Sequence, residues 1–227
     1  MSFFIQNEKE LYKKANNLPK HNVSIEKFEY IKLFKYRTTW LLLFLCLFYF
    51  ALVCSPVDIN KMVFQELNFT TTTITTITGI ACMVRAFATL GFGYVYKKFK
   101  FNSIHILTAA IIIGLLMVGL GGLYLSGTAA LIVLGIGSAL LYSTKDPFHI
   151  VREDFVMNSK GLTKRQTLLS ITNVGTNIGR MLMSLTISQI LLTQTAAMTN
   201  LIMLGALVPI SIVISLLLAR KRKINKY

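Results

Sequence analysis

Residues 161–184, GLTKRQTLLSITNVGTNIGRMLMS, join a basic loop directly to a helix of membrane-crossing length. Thr163 and Gln166 match a capping box, which satisfies the free amides at a helix start. Beyond them, polar residues recur at i, i+3, i+4, i+7 and i+11 and therefore share one helix face. This polar stripe consists of Asn173, Thr176, Asn177, Arg180 and Ser184. Because an arginine within an apolar span is costly in lipid, we expect the stripe to face other helices or water.

The composition of the chain predicts an all-α, polytopic membrane protein. Of its 227 residues, 54% are hydrophobic and only 15% are charged, with a mean hydropathy of +0.60. Soluble domains carry roughly 25% charged residues. The apolar residues also come in long uninterrupted runs, which is typical of transmembrane helices.

Six apolar segments are each long enough to cross ~30 Å of hydrocarbon at ~1.5 Å per residue. We predict transmembrane helices at 38–55, 70–96, 102–125, 128–144, 165–192 and 199–219. Residues 1–37 form a basic leader, and residues 220–227 form a basic tail. The second span opens with a run of threonines, whose hydroxyl groups can bond to carbonyls of their own helix.

The distribution of positive charge predicts the orientation. The formal net charge is +15, and 21 of the 24 lysines and arginines lie in the leader, the tail and the loops after the second and fourth spans. By the positive-inside rule these regions are cytoplasmic, which predicts a multi-pass protein of the cell membrane. Basic loops beside a lipid bilayer account for the charge, so we expect no nucleic-acid partner.

Polarity is uneven among the predicted spans. The third and sixth are almost purely aliphatic, so we expect them outside a cavity that the first, second, fourth and fifth surround. Arg85 in the second span and Tyr142 in the fourth are candidates to line this cavity, together with the polar stripe. Arg85 has two open interpretations: it binds an anionic substrate or a partner's carboxylate, or it hydrogen-bonds to neighbouring carbonyls or amides. Gly175 and Gly179 have the spacing that permits close helix approach.

Nothing in the sequence indicates an enzyme. The histidines and cysteines have no catalytic or metal-ligand spacing, so we expect no catalytic residue, metal or cofactor. The nine acidic residues all lie outside the predicted spans. A proton-coupled transporter needs a carboxylate at membrane depth, which a partner would then have to supply. Asp146 and Pro147 predict the start of a short helix at the cytoplasmic surface, the alternative being a solvated connector.

Two cytoplasmic segments resemble motifs of the major facilitator superfamily of transporters. Residues 93–102, GYVYKKFKFN, are similar to the family's loop between the second and third spans of each half. Gly93 and the basic Lys98 match the pattern. Lys97 stands in the place of the family's aspartate, and Lys100 stands in the place of its second glycine.

The second segment, 165–170, resembles the Arg-Ala-Thr-x-x-Ser sequence that opens the eleventh span in drug-efflux-type members. Arg165, Thr167 and Ser170 match, whereas Gln166 replaces the small residue. The chain is therefore similar to the C-terminal six-span half of such a transporter, and its leader is similar to the linker between the halves. The resemblance implies transport of a small molecule, efflux being one direction, with gating-loop roles for Gly93, Lys97, Lys98, Arg165 and Thr167.

A six-span half supplies one wall of a transport pathway, since alternating access rocks two bundles around a site between them. The resemblance therefore implies a second bundle, either another copy of this chain or a separately encoded six-span half. Two other hypotheses stay open. One is a non-transporting interaction or regulatory subunit, or a truncated remnant that keeps the fold, and Lys97 in place of the aspartate favours it. The other is an unrelated six-span fold.

Overall fold

The computed structural model describes residues 33–157 and 162–224, without the side chains of 54–57, 162–165 and 221–224. Every regular element within these ranges is helical, so the all-α prediction is confirmed. The elements are α1 Arg37–Glu66, α2 Thr71–Phe99, a 3₁₀ turn Lys100–Asn102, α3 Ser103–Tyr124, α4 Gly127–Ser143, α5 Lys145–Met157, α6 Leu162–Leu191 and α7 Ala196–Ile224. Nearly all of the predicted leader, and residues 225–227 of the tail, lie outside the described residues.

The described chain contains four stretches that are long and apolar enough to cross a membrane, namely 37–66, 71–124, 127–157 and 196–220. The second of these holds both α2 and α3. The protein is therefore a membrane protein with several helices that are long and apolar enough to span a bilayer. The predicted fifth span, which became α6, has sufficient length at 30 residues but is not among these stretches. The polar stripe makes this helix less apolar than the others.

Helix α1 is longer than the sequence predicts. The first span was expected to end at residue 55, with Asp58 and Glu66 in an outer loop, but α1 continues to Glu66. At ~1.5 Å per residue its 30 residues measure about 45 Å, which exceeds the ~30 Å hydrocarbon core. The added length has a structural role, because Glu66 Oε1 accepts a 2.8 Å hydrogen bond from the amide of Ala196. This bond satisfies one free amide at the start of α7.

The helices form two layers. Helices α2, α4, α1 and α6 lie side by side in that order in the first layer. In the second layer α3 packs on α4, α7 packs on α1, and the two also contact each other. The polarity of the spans predicted this grouping, with the third and sixth spans on the far side. The structure places α3 and α7 together on one side of the other four helices, which lie in a row with α2 and α6 at its two edges.

Glycines allow the helices to approach closely where the layers meet. A Cβ atom on Gly114 of α3 would lie 3.0 Å from the carbonyl oxygen of Gly137 in α4, and one on Gly137 would lie 3.1 Å from that of Gly114. On α6, a Cβ atom on Gly175 would lie 3.1 Å from the Leu43 carbonyl oxygen of α1. The packing role that the glycine spacing predicted for these helices is confirmed.

The threonine run at the start of α2 is stabilised within its own helix. Thr70 caps the helix by accepting a hydrogen bond from the amide of Thr73 at 3.3 Å. Further along, Thr75, Thr76 and Thr78 donate to the carbonyls four residues earlier at 2.8–2.9 Å. The predicted return of these hydroxyl groups to the helix backbone is confirmed, and it removes the cost of placing them among apolar residues.

Lys100 occupies a backbone conformation that suits glycine. Helix α2 continues to Phe99, and Lys100 then turns the chain with φ 50° and ψ −131°. A side chain with positive φ in such a region costs about 1–3 kcal/mol. We therefore expect Lys100→Gly to stabilise the protein by about 1 kcal/mol, measured by SDS titration in mixed micelles. Lys98→Gly is the control, because a glycine within α2 should destabilise by about 1 kcal/mol. Equal loss of stability in both variants would contradict the prediction.

Candidate functional site

Four of the five residues in the polar stripe lie exposed on α6. Asn173, Asn177, Arg180 and Ser184 follow one another along the helix, at the edge of the first layer. Thr176 differs, because it is only 5% exposed and its hydroxyl donates to the Asn173 carbonyl at 2.7 Å. Thr176 therefore belongs to the packed side of α6, and its prediction as a cavity-lining residue is wrong. The other four side chains remain exposed and form a row of polar groups on the surface of α6.

Helix α5 lies between the stripe and α2. It contacts α1, α2, α3, α4 and α6, and Phe148 and Val151 on one of its faces are buried in the core. The prediction of a helix is confirmed, and because one of its faces is buried in the core the segment is not a solvated connector. Asp146 is the second residue of α5 and not its N-cap, since the amide of Phe148 already bonds to the Thr144 carbonyl at 3.1 Å.

One face of α5 is open and carries charge. Asp146, His149 and Glu153 stand at i, i+3 and i+7 and thus share this face, and none of them is buried. On one side of α5 the open face meets α2, and on the other side it meets α6. We call the surface made by this face and the polar stripe the front face. Its residues, from Asp146 to Ser184, are up to 38 positions apart in the sequence.

Arg85 forms a two-point ion pair with Asp146 on the front face. Its Nε donates to Asp146 Oδ2 at 2.7 Å and its Nη2 donates to Oδ1 at 2.5 Å. Both side chains are about one-third exposed, at 30% and 35%. Arg85 lies fourteen residues from either end of α2, so the pair sits level with the middle of a membrane-length helix. The pair therefore brings the Asp146 carboxylate, which lies outside the predicted spans, level with the middle of α2.

Arg152 holds α5 to α6 from the buried side. The residue is 6% exposed, and its Nη1 donates to Asn173 Oδ1 at 3.0 Å while its Nη2 lies 3.4 Å from Glu153 Oε1. Sequence reasoning did not select this arginine. Helical periodicity could have indicated that Arg152 is buried. The residue follows Phe148 by four positions and precedes Phe155 by three, so it shares their packed face.

Arg180 and His149 meet at the ring of Phe50 in α1. The Arg180 guanidinium carbon lies 5.4 Å from the ring centroid, within the range of a cation–π contact. The His149 ring lies 5.2 Å from the same centroid in an edge-on arrangement. Two basic side chains from different helices are thus joined through one aromatic ring. Residue spacing does not associate His149 with the stripe, since the two lie on different helices.

The remaining predicted site residues do not join the front face as expected. Tyr142 is 8% exposed, which leaves it packed within the bundle. Gly93, Lys97 and Lys98 lie in the last turns of α2 and not in a loop, since this helix runs to Phe99. Their prediction as loop residues is wrong.

The second predicted gating segment is also helical. Thr167 is buried within α6, and Arg165 belongs to the same helix, although its side chain lies outside the described residues. Thr163 is inside α6 as well, so it is not the N-cap that the capping-box prediction requires.

The acidic groups of the front face are engaged by neighbouring side chains. Among the described residues, no three His, Cys, Asp or Glu side chains lie close enough together to hold a metal ion. The carboxylates of this region each have a partner: Asp146 pairs with Arg85, Glu153 with Arg152, and Asp154 accepts a hydrogen bond from the Tyr96 hydroxyl. The face therefore presents arginine, histidine and amide groups whose neighbouring acids are already engaged.

Comparison with protein-family models, with curated proteins and with solved structures gives no match to this chain.

Proposed function

We propose that this protein is half of a membrane transporter of the major facilitator type. In this proposal six helices span the cell membrane with both termini in the cytoplasm, and a second six-span bundle completes the pathway. The second bundle is another copy of this chain or a separately encoded half. The substrate is a small molecule, and efflux is the direction that the resemblance of the sequence suggests.

One observation carries the proposal: Asn173, Asn177, Arg180 and Ser184 lie exposed along a helix that belongs to an otherwise apolar bundle. An arginine in contact with hydrocarbon costs about 2.5–3.5 kcal/mol on insertion scales. Exposed polar groups at membrane depth therefore need water or another protein surface beside them. A water-filled pathway between two bundles supplies both.

The arrangement of the helices also supports the proposal. The front face lies across the first layer, from Arg85 in α2 through α5 to Arg180 in α6. Helices α3 and α7 cover the opposite side and expose apolar residues such as Ile113, Leu120 and Val213. The exposed charged and amide groups of α5 and α6 thus lie on one side of the bundle, beside apolar residues that α6 also exposes, such as Val174 and Met181. A transporter half would line its pathway with that side.

A flux measurement tests the proposal. The purified protein is reconstituted into liposomes loaded with carboxyfluorescein, a fluorescent organic anion, and dye release is followed over time. We expect the wild type to accelerate release and Arg180→Ala to reduce that acceleration at least tenfold at equal protein content. Lys61→Ala, which removes an exposed charge near the end of α1, is the matched control and should behave as the wild type.

The second part of this test measures the mass of the purified complex and identifies the chains in it. A defined pair, either of two copies or with a co-purifying six-span chain, agrees with the proposal. A monomer without flux would contradict it and would favour the interaction or regulatory subunit.

A further inference from the structure

We propose that the end of α2 binds the headgroup of an anionic phospholipid through Lys97, Lys98 and Lys100. All three side chains are exposed at the end of a 29-residue helix. The rise from Arg85, at the middle of α2, to Lys98 is about 20 Å, which is half of the ~40–45 Å that a bilayer measures with its headgroups. The lysines are therefore level with lipid headgroups at one membrane surface. The site is separate from the front face and goes beyond the proposed function, because its occupancy does not depend on transport.

The three lysines carry positive charge that the neighbouring side chains do not balance. Ion pairs between described residues involve other basic groups. Lys98 lies over the Phe99 ring, with its Nζ 5.5 Å from the ring centroid, and this contact leaves its charge uncompensated. At the neighbouring end of α5, residues 152–154, Arg-Glu-Asp, carry one net negative charge. Among them, Asp154 already accepts a hydrogen bond from the Tyr96 hydroxyl. Three positive charges therefore face one negative charge, and an anionic headgroup adds to the smaller side.

Lys100 occupies its position at a cost in backbone strain. Its φ of 50° and ψ of −131° suit glycine, so the fold itself gains nothing from a lysine there. Strained residues of this kind cluster at sites of ligand binding and catalysis. The helix dipole accounts for basic residues in a last turn, such as Lys97 and Lys98, but Lys100 stands beyond the last residue of α2. Its charge, and not the local structure, explains this lysine.

A row of exposed apolar residues leads along α2 to the lysines. Phe87, Leu90 and Tyr94 are 74%, 74% and 84% exposed, and they share one helix face because they stand at i, i+3 and i+7. Lys97 and Lys98 follow Tyr94 by three and four positions and continue this face. Since α2 is an edge of the first layer, lipid can reach the row directly. An acyl chain beside the row ends in a headgroup at the lysines, whereas a soluble anion makes no use of the row.

The test is local fluorescence quenching by brominated lipids. Trp40→Phe removes the only tryptophan of the chain, and Tyr94→Trp places a new one beside the lysines. The protein is reconstituted into phosphatidylcholine bilayers, into which dibrominated phosphatidylglycerol or dibrominated phosphatidylcholine is titrated. We expect phosphatidylglycerol to bind beside residue 94 at least about fivefold more tightly, which is the effect of one lysine near an anionic surface. Tyr124→Trp, at the exposed end of α3, should be quenched equally by the two lipids.

Variants separate the headgroup contact from folding. Lys100→Gly removes one charge and relieves the backbone, so it should weaken the preference for phosphatidylglycerol about fivefold while the protein becomes more stable. Replacement of all three lysines by glutamine should abolish the preference. Lys61→Gln, which removes an exposed charge near the end of α1, is the matched control and should keep it. Equal quenching by the two lipids beside the unaltered lysines would overturn the proposal, and so would a preference that survives the triple replacement.

A water-soluble analogue of the headgroup tests the commitment to a lipid. Glycerol phosphate carries the anionic group without an acyl chain. Added in excess at constant ionic strength, it should leave the quenching by brominated phosphatidylglycerol unchanged, and displacement of the lipid would overturn the assignment to a phospholipid. The flux assay fails independently. Lysine-dependent lipid binding without any flux would refute the transporter and keep this site, whereas flux without a preference for phosphatidylglycerol would refute the site and keep the transporter.

Discussion

Replacing Gly179 by alanine is expected to destabilise the protein by about 1–3 kcal/mol, because overpacking forces the backbone apart. A Cβ atom at this position would lie 2.4 Å from the carbonyl oxygen of Leu47 and 3.0 Å from its carbonyl carbon. These atoms belong to the backbone of α1, so no flexible side chain can move aside. The α1–α6 contact must widen, and α6 packs on little else.

Gly205→Ala is the matched control for this variant. Gly205 lies in the middle of α7, and no atom lies within 4 Å of the position that its Cβ would take. Alanine is favoured over glycine in a helix by about 1 kcal/mol, so this variant should be neutral or slightly stabilised. Stability is measured by SDS titration in mixed micelles, followed through Trp40, the only tryptophan of the chain. Identical unfolding midpoints for the two variants would show that α6 does not depend on this contact.

Loss of either partner of the Arg85–Asp146 pair is expected to have an effect of similar size. Breaking a buried ion pair costs about 3–5 kcal/mol, because the remaining charge is left uncompensated. Both side chains are about one-third exposed, which reduces the penalty. We therefore expect Arg85→Gln and Asp146→Asn each to destabilise by about 1–3 kcal/mol in the same titration.

The double variant distinguishes this pair from two independent contacts. With both charges removed, no uncompensated ion is left at the middle of α2, so most of the lost stability should return. Lys61→Ala is the control, because it breaks an exposed ion pair with Asp58 at 3.9 Å and should cost at most about 1 kcal/mol. Additive losses in the double variant would mean that the two charges are stabilised separately.

Local features of this protein are predictable from the sequence because they depend on neighbouring residues. The predicted start of the second span at residue 70 and end of the third at 125 each differ by one residue from α2 and α3. Hydrophobic length determines these bounds. The end of α1 was missed by eleven residues, since Pro56 and Asp58 indicate a helix end in most contexts and only the distant Ala196 amide gives Glu66 its partner.

The candidate site was predictable in part. The polar stripe follows from helical spacing, and three of its members besides Arg180 lie exposed on α6. Its partners were not predictable, because Asp146 is 61 positions from Arg85 and His149 is 99 positions from Phe50 in the sequence. Only the packing of α5 between α2 and α6 brings these groups together. The sequence of α5 predicted only a short helix at the cytoplasmic surface or a solvated connector.

The dependence of α6 on α1 has a consequence for biosynthesis. A helix with this many polar groups enters lipid poorly by itself, whereas α1 is strongly apolar and leaves the ribosome roughly a hundred residues earlier. At about 5–20 residues per second, α1 has several seconds in the bilayer before α6 is complete. The glycines of α6 can then pack against the backbone of α1, which is already in the bilayer. The order of synthesis thus lets an early helix act as the template on which a helix unsuited to lipid is assembled.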